Sequence, residues 1–291
     1  MPDSARDSVS VRVAAGAKAV GEFVASAELG PDRMPARHPF TSAHAHVFDP
    51  FLYLAHFGPR ELHETDWGFG PHPHRGFETI TYLLAGGIEH RDSTGGHAVL
   101  GAGDVQWMTA GGGIIHSEQP PAALKEKGGI VHGFQLWLNL PRPLKLTPPG
   151  FSVLRGADMP KAEPAPGVMV RVIGGRCGEI ESPVRVRSPV FLWHVSMAPG
   201  ARWRFAKEEG WTAVAYAFSQ AECGRTTIFD RAGETVDLAH EGNASLELLV
   251  LGGQPFGEPV ASYGPFVMST REEIIEAVRD YQSGRMGSLP E

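Results

Sequence analysis

Two pairs of metal-ligating side chains stand out in the first half of the chain, and the members of each pair are two residues apart. His72 and His74 lie in "HPHRG", and His116 and Glu118 lie in "GIIHSE". Alternate residues of a β-strand point to the same side, so each pair can aim both side chains into one barrel interior. Three imidazoles and a carboxylate suit a borderline divalent metal, and an octahedral ion with four protein ligands keeps two positions open.

The identity of the carboxylate ligand is left open by the spacing. Glu78 lies four residues beyond His74 and has the same parity, so it competes with Glu118. Another histidine pair, His44 and His46, has no second pair at matching spacing. We therefore interpret it as a solvated or hydrogen-bonded turn.

Other polar residues of the first half are predicted to serve the fold or the surface. His132 and Gln135, in "VHGFQLW", are candidates for the lining of the same cavity, but we interpret them as hydrogen-bonded polar groups of the core. Four further histidines have no partner at strand spacing and are predicted at the surface: His56, His63, His90 and His97.

The elements that carry these residues are predicted to be strands. Segments rich in β-branched and aromatic residues recur between glycine- and proline-rich turns, at 78–84, 104–108, 129–140, 189–197, 211–218 and 245–251. Short strands at such intervals indicate an all-β barrel or sandwich.

A proline-rich stretch, "LPRPLKLTPPG", separates two β-rich halves. Proline at that density is typical of a stiff connector, which predicts domains at 1–150 and 151–291. Eleven of the thirteen histidines occur at or before His132. Chemistry that needs imidazole is therefore expected in the first domain.

One helix is predicted, at the C-terminus. Ser269 and Glu272 have the spacing of a capping box, an apolar stripe follows at Ile274, Ile275, Val278 and Tyr281, and Gly284 supplies a C-cap. This short amphipathic helix is expected to pack on the barrel of the second domain.

Composition narrows the classes of function. A net charge of -7 and a pI near 6.0 do not favour direct nucleic-acid binding by the whole surface. Two cysteines without CxxC spacing indicate neither a zinc site nor a disulfide framework, and fit a reducing compartment. With no apolar stretch of membrane-spanning length, we expect a cytoplasmic protein without a membrane partner.

The sequence resembles the cupin superfamily and, more narrowly, the pirin family. The matching stretches are "FDPFLYLAHFGP", "HPHRGFETITYLLAGGIEHRDS", "GDVQWMTAGGGIIHSE", "GFQLWLNLP" and "YGPFVMSTREEI", which lie between residues 48 and 274. The resemblance implies a bicupin, an all-β protein with two cupin-type β-barrels face to face. It further implies a metal in the N-terminal barrel alone.

The ligands implied by the resemblance are His72, His74, His116 and Glu118, and the implied metal is iron. On that ground Glu118 is preferred to Glu78. The departures are small: Thr109 stands where many cupins have proline, and "HSE" replaces the "HAE" frequent among pirins.

The activity implied by the resemblance is that of a quercetin 2,3-dioxygenase, which opens a flavonol with dioxygen and releases carbon monoxide. In that role Glu118 is also the catalytic residue that holds or accepts the substrate's hydroxyl proton. An apolar slot is expected from Phe77, Trp107, Met108 and the "FQLW" strand. The alternative is a metal-binding regulator of transcription or metabolism that acts on a protein partner without turning over flavonols.

Overall fold

The computed structural model describes residues 19–24, 27–29, 35–62, 68–219 and 223–290. His63, predicted at the surface, lies outside the described residues. The described residues form two compact units, one from those up to 25 and within 160–254, and the other from those within 26–159 and 255–290. We call the second of these the histidine barrel, because it contains "HPHRG" and "GIIHSE".

The described chain is built mainly of antiparallel strands. In chain order they are β1 (Ala19–Val24), β2 (Ala27–Leu29), β3 (Pro35–Phe40), β4 (Phe51–Leu62), β5 (Phe69–His74), β6 (Phe77–Ala85), β7 (Ile88–Asp92), β8 (His97–Leu100), β9 (Val105–Thr109), β10 (Ile114–Gln119), β11 (Gly129–Asn139), β12 (Gly150–Leu154), β13 (Lys161–Ala165), β14 (Val168–Gly174), β15 (Arg176–Cys177), β16 (Ile180–Glu181), β17 (Val190–Met197), β18 (Arg202–Ala206), β19 (Thr212–Ala217), β20 (Arg225–Phe229), β21 (Thr235–Ala239), β22 (Leu246–Gly253), β23 (Ala261–Tyr263) and β24 (Phe266–Met268).

Helices are few and short. They are α1 (Ala45–Phe48), α2 (Ala122–Lys127) and α3 (Arg271–Gln282), with 3-10 turns at Ser42–His44, Arg142–Leu144 and Gly156–Asp158. The sequence predicted only α3. No helix in the described part of the chain is both long and apolar enough to cross a membrane.

The histidine barrel combines a seven-stranded sheet with a four-stranded one. The strand order is β12-β9-β6-β11-β4-β3-β2 in the first and β5-β10-β7-β8 in the second. Residues 77–83 of β6 are all buried, as expected for a central strand rich in β-branched and aromatic side chains. Phe57, Leu83 and Val131 belong to one buried apolar cluster of this unit.

The other unit has a different interior. Its main sheet has the order β1-β20-β19-β22-β17-β14-β13, and β18 pairs with β21. The inward side chains form one apolar cluster that includes Phe191, Trp193, Trp203 and Phe205. These large aromatic side chains pack against one another inside the unit. The absence of a metal site from this barrel stays a prediction.

The prediction of an all-β fold with two cupin barrels and a short C-terminal helix is confirmed. The division at residue 150 stays a prediction, and it assigns the two chain ends differently from the compact units. β1 pairs with β20, and residues 255–290, with α3, belong to the histidine barrel.

The capping box of α3 lies one residue later than predicted. Thr270 is the N-cap: its Oγ1 accepts a hydrogen bond from Glu273 N at 3.2 Å, and Glu273 Oε2 accepts one from Thr270 N at 3.0 Å. Ser269 and Glu272 have the same spacing but do not form the capping box. The helix that begins after Thr270 buries Ile274 and Ala277 in the core. Gly284 follows the C-cap with φ +75°, as predicted for the helix end.

The shifted cap predicts unequal effects of two alanine substitutions. Thr270→Ala should lower the free energy of unfolding by about 1 kcal/mol, because Glu273 N loses its side-chain acceptor at the N-cap. Ser269→Ala should be neutral or slightly stabilising, since its buried Oγ has no hydrogen-bond partner among the described residues. Urea unfolding of the two variants measures the difference, and equal losses would contradict this assignment.

Candidate metal centre

Three histidines converge at the edge of the four-stranded sheet of the histidine barrel. β5 pairs with β10 in a register that places His116 opposite His72 and Ile114 opposite His74. One ligand atom from each of His72, His74 and His116 lies within 4.8 Å of the others. Among the described residues, this is the group of histidine, cysteine or acidic side chains that comes together closely enough to hold a metal ion.

The local sequence explains how β5 delivers two imidazoles. Pro71 and Pro73 alternate with His72 and His74, and proline suits an edge strand because it has no N–H to give to a neighbouring strand. Gly76 then turns the chain with φ +89°, and a Cβ there would lie 1.9 Å from Val267 O. Only glycine fits this turn, which ends β5 directly after the second histidine.

The buried imidazoles have the properties of metal ligands. His74 is 3% exposed and His116 is fully buried. Burial holds the pKa of His74 well below its usual value, with a further lowering from His72, while the carbonyl of Pro265 acts in the opposite direction. Burial, followed by the neighbouring histidines, does the same to the pKa of His116. Both rings are therefore neutral near pH 7, which is the form that binds a metal.

The free nitrogens of these rings fit a metal. Both ring nitrogens of His74 and Nε2 of His116 are buried and have no hydrogen-bond partner among the described residues, although the carbonyl of Pro265 lies near the His74 ring. Buried polar atoms are normally satisfied, so the unpaired nitrogens of two converging rings fit an ion as their common partner. On His72, Nδ1 donates to Gly70 O at 2.8 Å, which leaves Nε2 to bind a metal.

Glu118 is buried beside the triad but lies outside the converging group. A bulge separates the register of His116 from that of Glu118, which faces Phe69. Its two carboxylate oxygens accept hydrogen bonds from Thr81 Oγ1 at 3.2 Å and Gln135 Nε2 at 3.0 Å. The role of Glu118 as a ligand stays a prediction. Gln135 is hydrogen-bonded, as predicted, but it is half-buried, and its partner is this carboxylate.

Glu78 points away from the triad, contrary to the parity that the sequence suggested. The turn at Gly76 resets the alternation, so Phe77 contacts His74 with ring centroids 5.2 Å apart and Glu78 lies on the opposite face of β6. There Glu78 Oε1 accepts a hydrogen bond from Thr109 Oγ1 at 2.6 Å. Thr109, which stands where many cupins have proline, therefore has Glu78 as its hydrogen-bond partner.

The prediction that His90 is a surface residue is wrong. It is fully buried on β7, where Nε2 lies 2.9 Å from Asp92 Oδ2 and Nδ1 lies 3.4 Å from His116 Nδ1. "HRD" at 90–92 has the same two-residue spacing as "HSE", and that signal could have revealed an inward-facing pair.

His56 is also buried, so its surface prediction is wrong as well. Its Nε2 lies 2.8 Å from His132 Nε2, and one ring must donate to the other. Burial, then the charges of His132 and Arg37, lower the pKa of His56 to about 3. His132 is thereby hydrogen-bonded, as predicted.

The surface prediction for His97 is confirmed: it is exposed and lies 3.0 Å from Glu89 Oε1. The turn predicted for His44 and His46 is confirmed in part. His44 ends a 3-10 turn, where its Nδ1 accepts a hydrogen bond from Thr41 N, whereas His46 is exposed but lies in α1.

Aromatic side chains line one flank of the triad. Phe77 and Trp137, the latter from "FQLW", pack on His74 with centroid distances of 5.2 and 5.5 Å. Met108 is buried in a cluster with Ala110 and Ile114. The flank is apolar, which suits an aromatic molecule next to the imidazoles.

Comparison with known proteins places this geometry in context. The family model "Pirin" matches residues 31–138, and "Pirin C-terminal cupin domain" matches residues 192–287. A Pseudomonas aeruginosa protein provisionally named a quercetin 2,3-dioxygenase is 40% identical over 81% of this chain and 86% of its own length. Pirin-1 of Arabidopsis thaliana is 37% identical over 92% and 94%. The crystal structure of quercetin 2,3-dioxygenase from Acinetobacter baumannii superposes with a TM-score of 0.88 at 33% identity, covering 94% of this chain and 99% of that one.

Proposed function

The chain belongs to the pirin family, and from that premise we propose that it is a metal-dependent dioxygenase of the quercetin 2,3-dioxygenase type. Its substrates would be a flavonol and dioxygen, and its metal a single iron ion. The observation that carries the proposal is the convergence of three histidines, two of which have buried ring nitrogens without a hydrogen-bond partner among the described residues. The names of the Pseudomonas and Acinetobacter relatives support the reaction class.

The proposed ligands are His72, His74 and His116, with Glu118 as the fourth. Each carboxylate oxygen of Glu118 accepts one hydrogen bond from the protein and retains a lone pair. The side chain therefore remains able to bind an ion. Histidine and carboxylate ligands with open positions are typical of non-haem iron that handles dioxygen.

The protein's own residues would prepare the substrate. When bound, the ion supplies Lewis-acid and redox chemistry at the open positions. Glu118 would take the proton of the flavonol hydroxyl on a carboxylate oxygen, while Thr81 and Gln135 hold that carboxylate in place. Phe77 and Trp137 would exclude water from one side of the reacting ring.

The cellular setting is part of the proposal. We place the protein in the cytoplasm, since its two cysteines suit a reducing compartment. The proposed substrate class is supported by the apolar flank next to the triad, which fits an aromatic ring bearing adjacent oxygen atoms.

Metal removal and restoration test the proposed function. Protein loaded anaerobically with Fe(II) should consume oxygen when quercetin is added and release one carbon monoxide per oxygen. Chelation should reduce oxygen uptake to the background rate, and reloading should restore it in proportion to bound iron, because the ion supplies the open positions. An oxygen electrode and a carbon monoxide assay measure both gases.

The same oxygen and iron measurements can also contradict the proposal. Full iron occupancy without oxygen uptake on any of several flavonols would overturn the enzymatic proposal. Recovery of a stable protein partner by the iron-loaded chain would then favour the alternative of a metal-binding regulator.

A further inference from the structure

A buried polar chain runs from the metal triad into the sheet behind it. It consists of His116, His90 and Asp92, all of them fully buried. β7 and β10 pair so that Asp92 faces His116 and His90 faces Glu118. Nothing in the proposed reaction uses His90 or Asp92, so their burial next to a ligand needs a reason.

Asp92 is an acceptor on both oxygens. Its Oδ1 receives hydrogen bonds from Thr94 N at 2.8 Å, Thr94 Oγ1 at 2.6 Å and Gly96 N at 3.1 Å. With these donors in place the side chain is a carboxylate, and Oδ2 must accept from His90 Nε2 at 2.9 Å. The proton of His90 therefore sits on Nε2.

The second nitrogen of His90 then presents a lone pair. This single lone pair accepts from Gln106 Nε2 at 3.0 Å and is shared with His116 Nδ1, which lies 3.4 Å away. A lone pair at that place favours a proton on Nδ1 of His116. The lone pair of His116 is then on Nε2, the buried nitrogen without a hydrogen-bond partner among the described residues.

We propose that Asp92 and His90 are positioning residues that fix the tautomer of His116, so that its Nε2 is presented to the metal. The inference rests on the metal binding in the proposed function and is independent of flavonol turnover. A carboxylate or imidazole behind a ligating histidine fixes its ring orientation and raises its basicity. Asp92 acts on the metal only through two intervening rings.

Nitrogen NMR of protein labelled with ¹⁵N-histidine tests the tautomers directly, with Zn(II) as a diamagnetic probe. We expect His116 to be protonated at Nδ1 and metal-bound at Nε2, and His90 to be protonated at Nε2 alone. The His90→Asn spectrum assigns the second ring. A proton on both nitrogens of His90, or a metal on Nδ1 of His116, would overturn the proposal; the former would occur if the Gln106 amide were rotated to accept.

Variants test the consequence for affinity. Asp92→Asn should weaken Zn(II) binding by about 10- to 100-fold in a competition titration with a chelator, the usual loss when the partner of a ligating histidine is changed. His90→Phe should lose at least as much. His90→Asn should lose less, because its amide oxygen can replace Nδ1 as the acceptor for His116.

Asp104→Asn is the matched control. Asp104 is another buried aspartate, and it accepts hydrogen bonds from Gly101 N, Gly156 N and Arg155 instead of a histidine. Its variant should bind Zn(II) as the unmodified protein does. Equal affinities of Asp92→Asn and Asp104→Asn would overturn the positioning role and leave the proposed function standing. Failure of the unmodified protein to bind Zn(II) or Fe(II) would overturn both. If Asp92→Asn does not fold, the NMR result decides alone.

Discussion

His74→Ala is expected to abolish stoichiometric iron binding and, with it, flavonol-dependent oxygen uptake. Four-ligand zinc sites bind with about 10 to 16 kcal/mol, so one ligand contributes about 3 kcal/mol, or about 100-fold in affinity. His72 and His116 cannot replace His74, because their strands hold them in position and neither can move into the space that the His74 ring vacates. Iron per chain, measured by elemental analysis after gel filtration, should fall from near one to a small fraction.

The fold of this variant should survive. Truncation removes ring contacts with Phe77 and Trp137, but it also removes two buried ring nitrogens that lack a hydrogen-bond partner among the described residues. The lost packing and the relieved polar group act in opposite directions on the free energy of unfolding. Circular dichroism and thermal unfolding of the metal-free proteins check this expectation.

His97→Ala is the control for the loss of an imidazole as such. Its ring is about half exposed and pairs with Glu89 on the surface. Iron content and oxygen uptake should be unchanged. If His74→Ala retained iron as tightly as His97→Ala does, the histidine triad would not be the metal site.

The site could be predicted from sequence where a two-residue spacing lies within one strand. His72 and His74 share β5, so strand geometry alone brings their side chains to one face. The rule fails across Gly76, since a residue with positive φ breaks the alternation and turns Glu78 to the other face. Counting alternate residues from His74 through this turn therefore predicted Glu78 as a rival ligand, although its side chain does not face the triad.

Residues in contact across strands could not be found in this way. His90 meets His116 only because β7 and β10 pair in one register, and that register is set by the turns and partners of both strands. The same is true of Gln135, which reaches Glu118 from β11. Whether an isolated histidine is buried depends on such pairings. Because the sequence alone does not give them, His56 and His90 were wrongly predicted at the surface.

Fold class was predictable because the density of strands and turns is a local property. In contrast, the unit that each end of the described chain joins is not a local property of the sequence. β1 joins the sheet of one unit through β20, some two hundred residues later, and α3 packs in the histidine barrel. Pairings at such separation depend on side-chain complementarity that a single sequence does not display.

Lys145→Met is expected to cause the largest loss of stability. Lys145 is 2% exposed, and its Nζ donates to Asn139 Oδ1 at 2.7 Å, Gly76 O at 2.9 Å and Val267 O at 3.1 Å. The ammonium thereby joins the turn after β5 to β11 and β24. Methionine keeps the length of the side chain but leaves three acceptors without a donor, at about 1 to 3 kcal/mol each. Urea unfolding should show a loss above about 3 kcal/mol, against less than about 0.5 kcal/mol for the exposed control Lys125→Met.

The pH dependence of that loss distinguishes a buried cation from simple packing. Burial lowers the pKa of Lys145 to about 8, against opposing contributions from Glu258 and Glu273. Between about pH 8 and 10.5 the unfolded chain still holds a proton that the folded protein has released, so unfolding takes up a proton and the stability that Lys145 confers rises with pH. The deficit of Lys145→Met relative to the unmodified protein should therefore be constant below pH 8 and grow by up to about 3 kcal/mol towards pH 10.5. A deficit that shrinks as the pH rises would show that the folded state raises this pKa, and that the three acceptors stabilise the ammonium more than burial disfavours it.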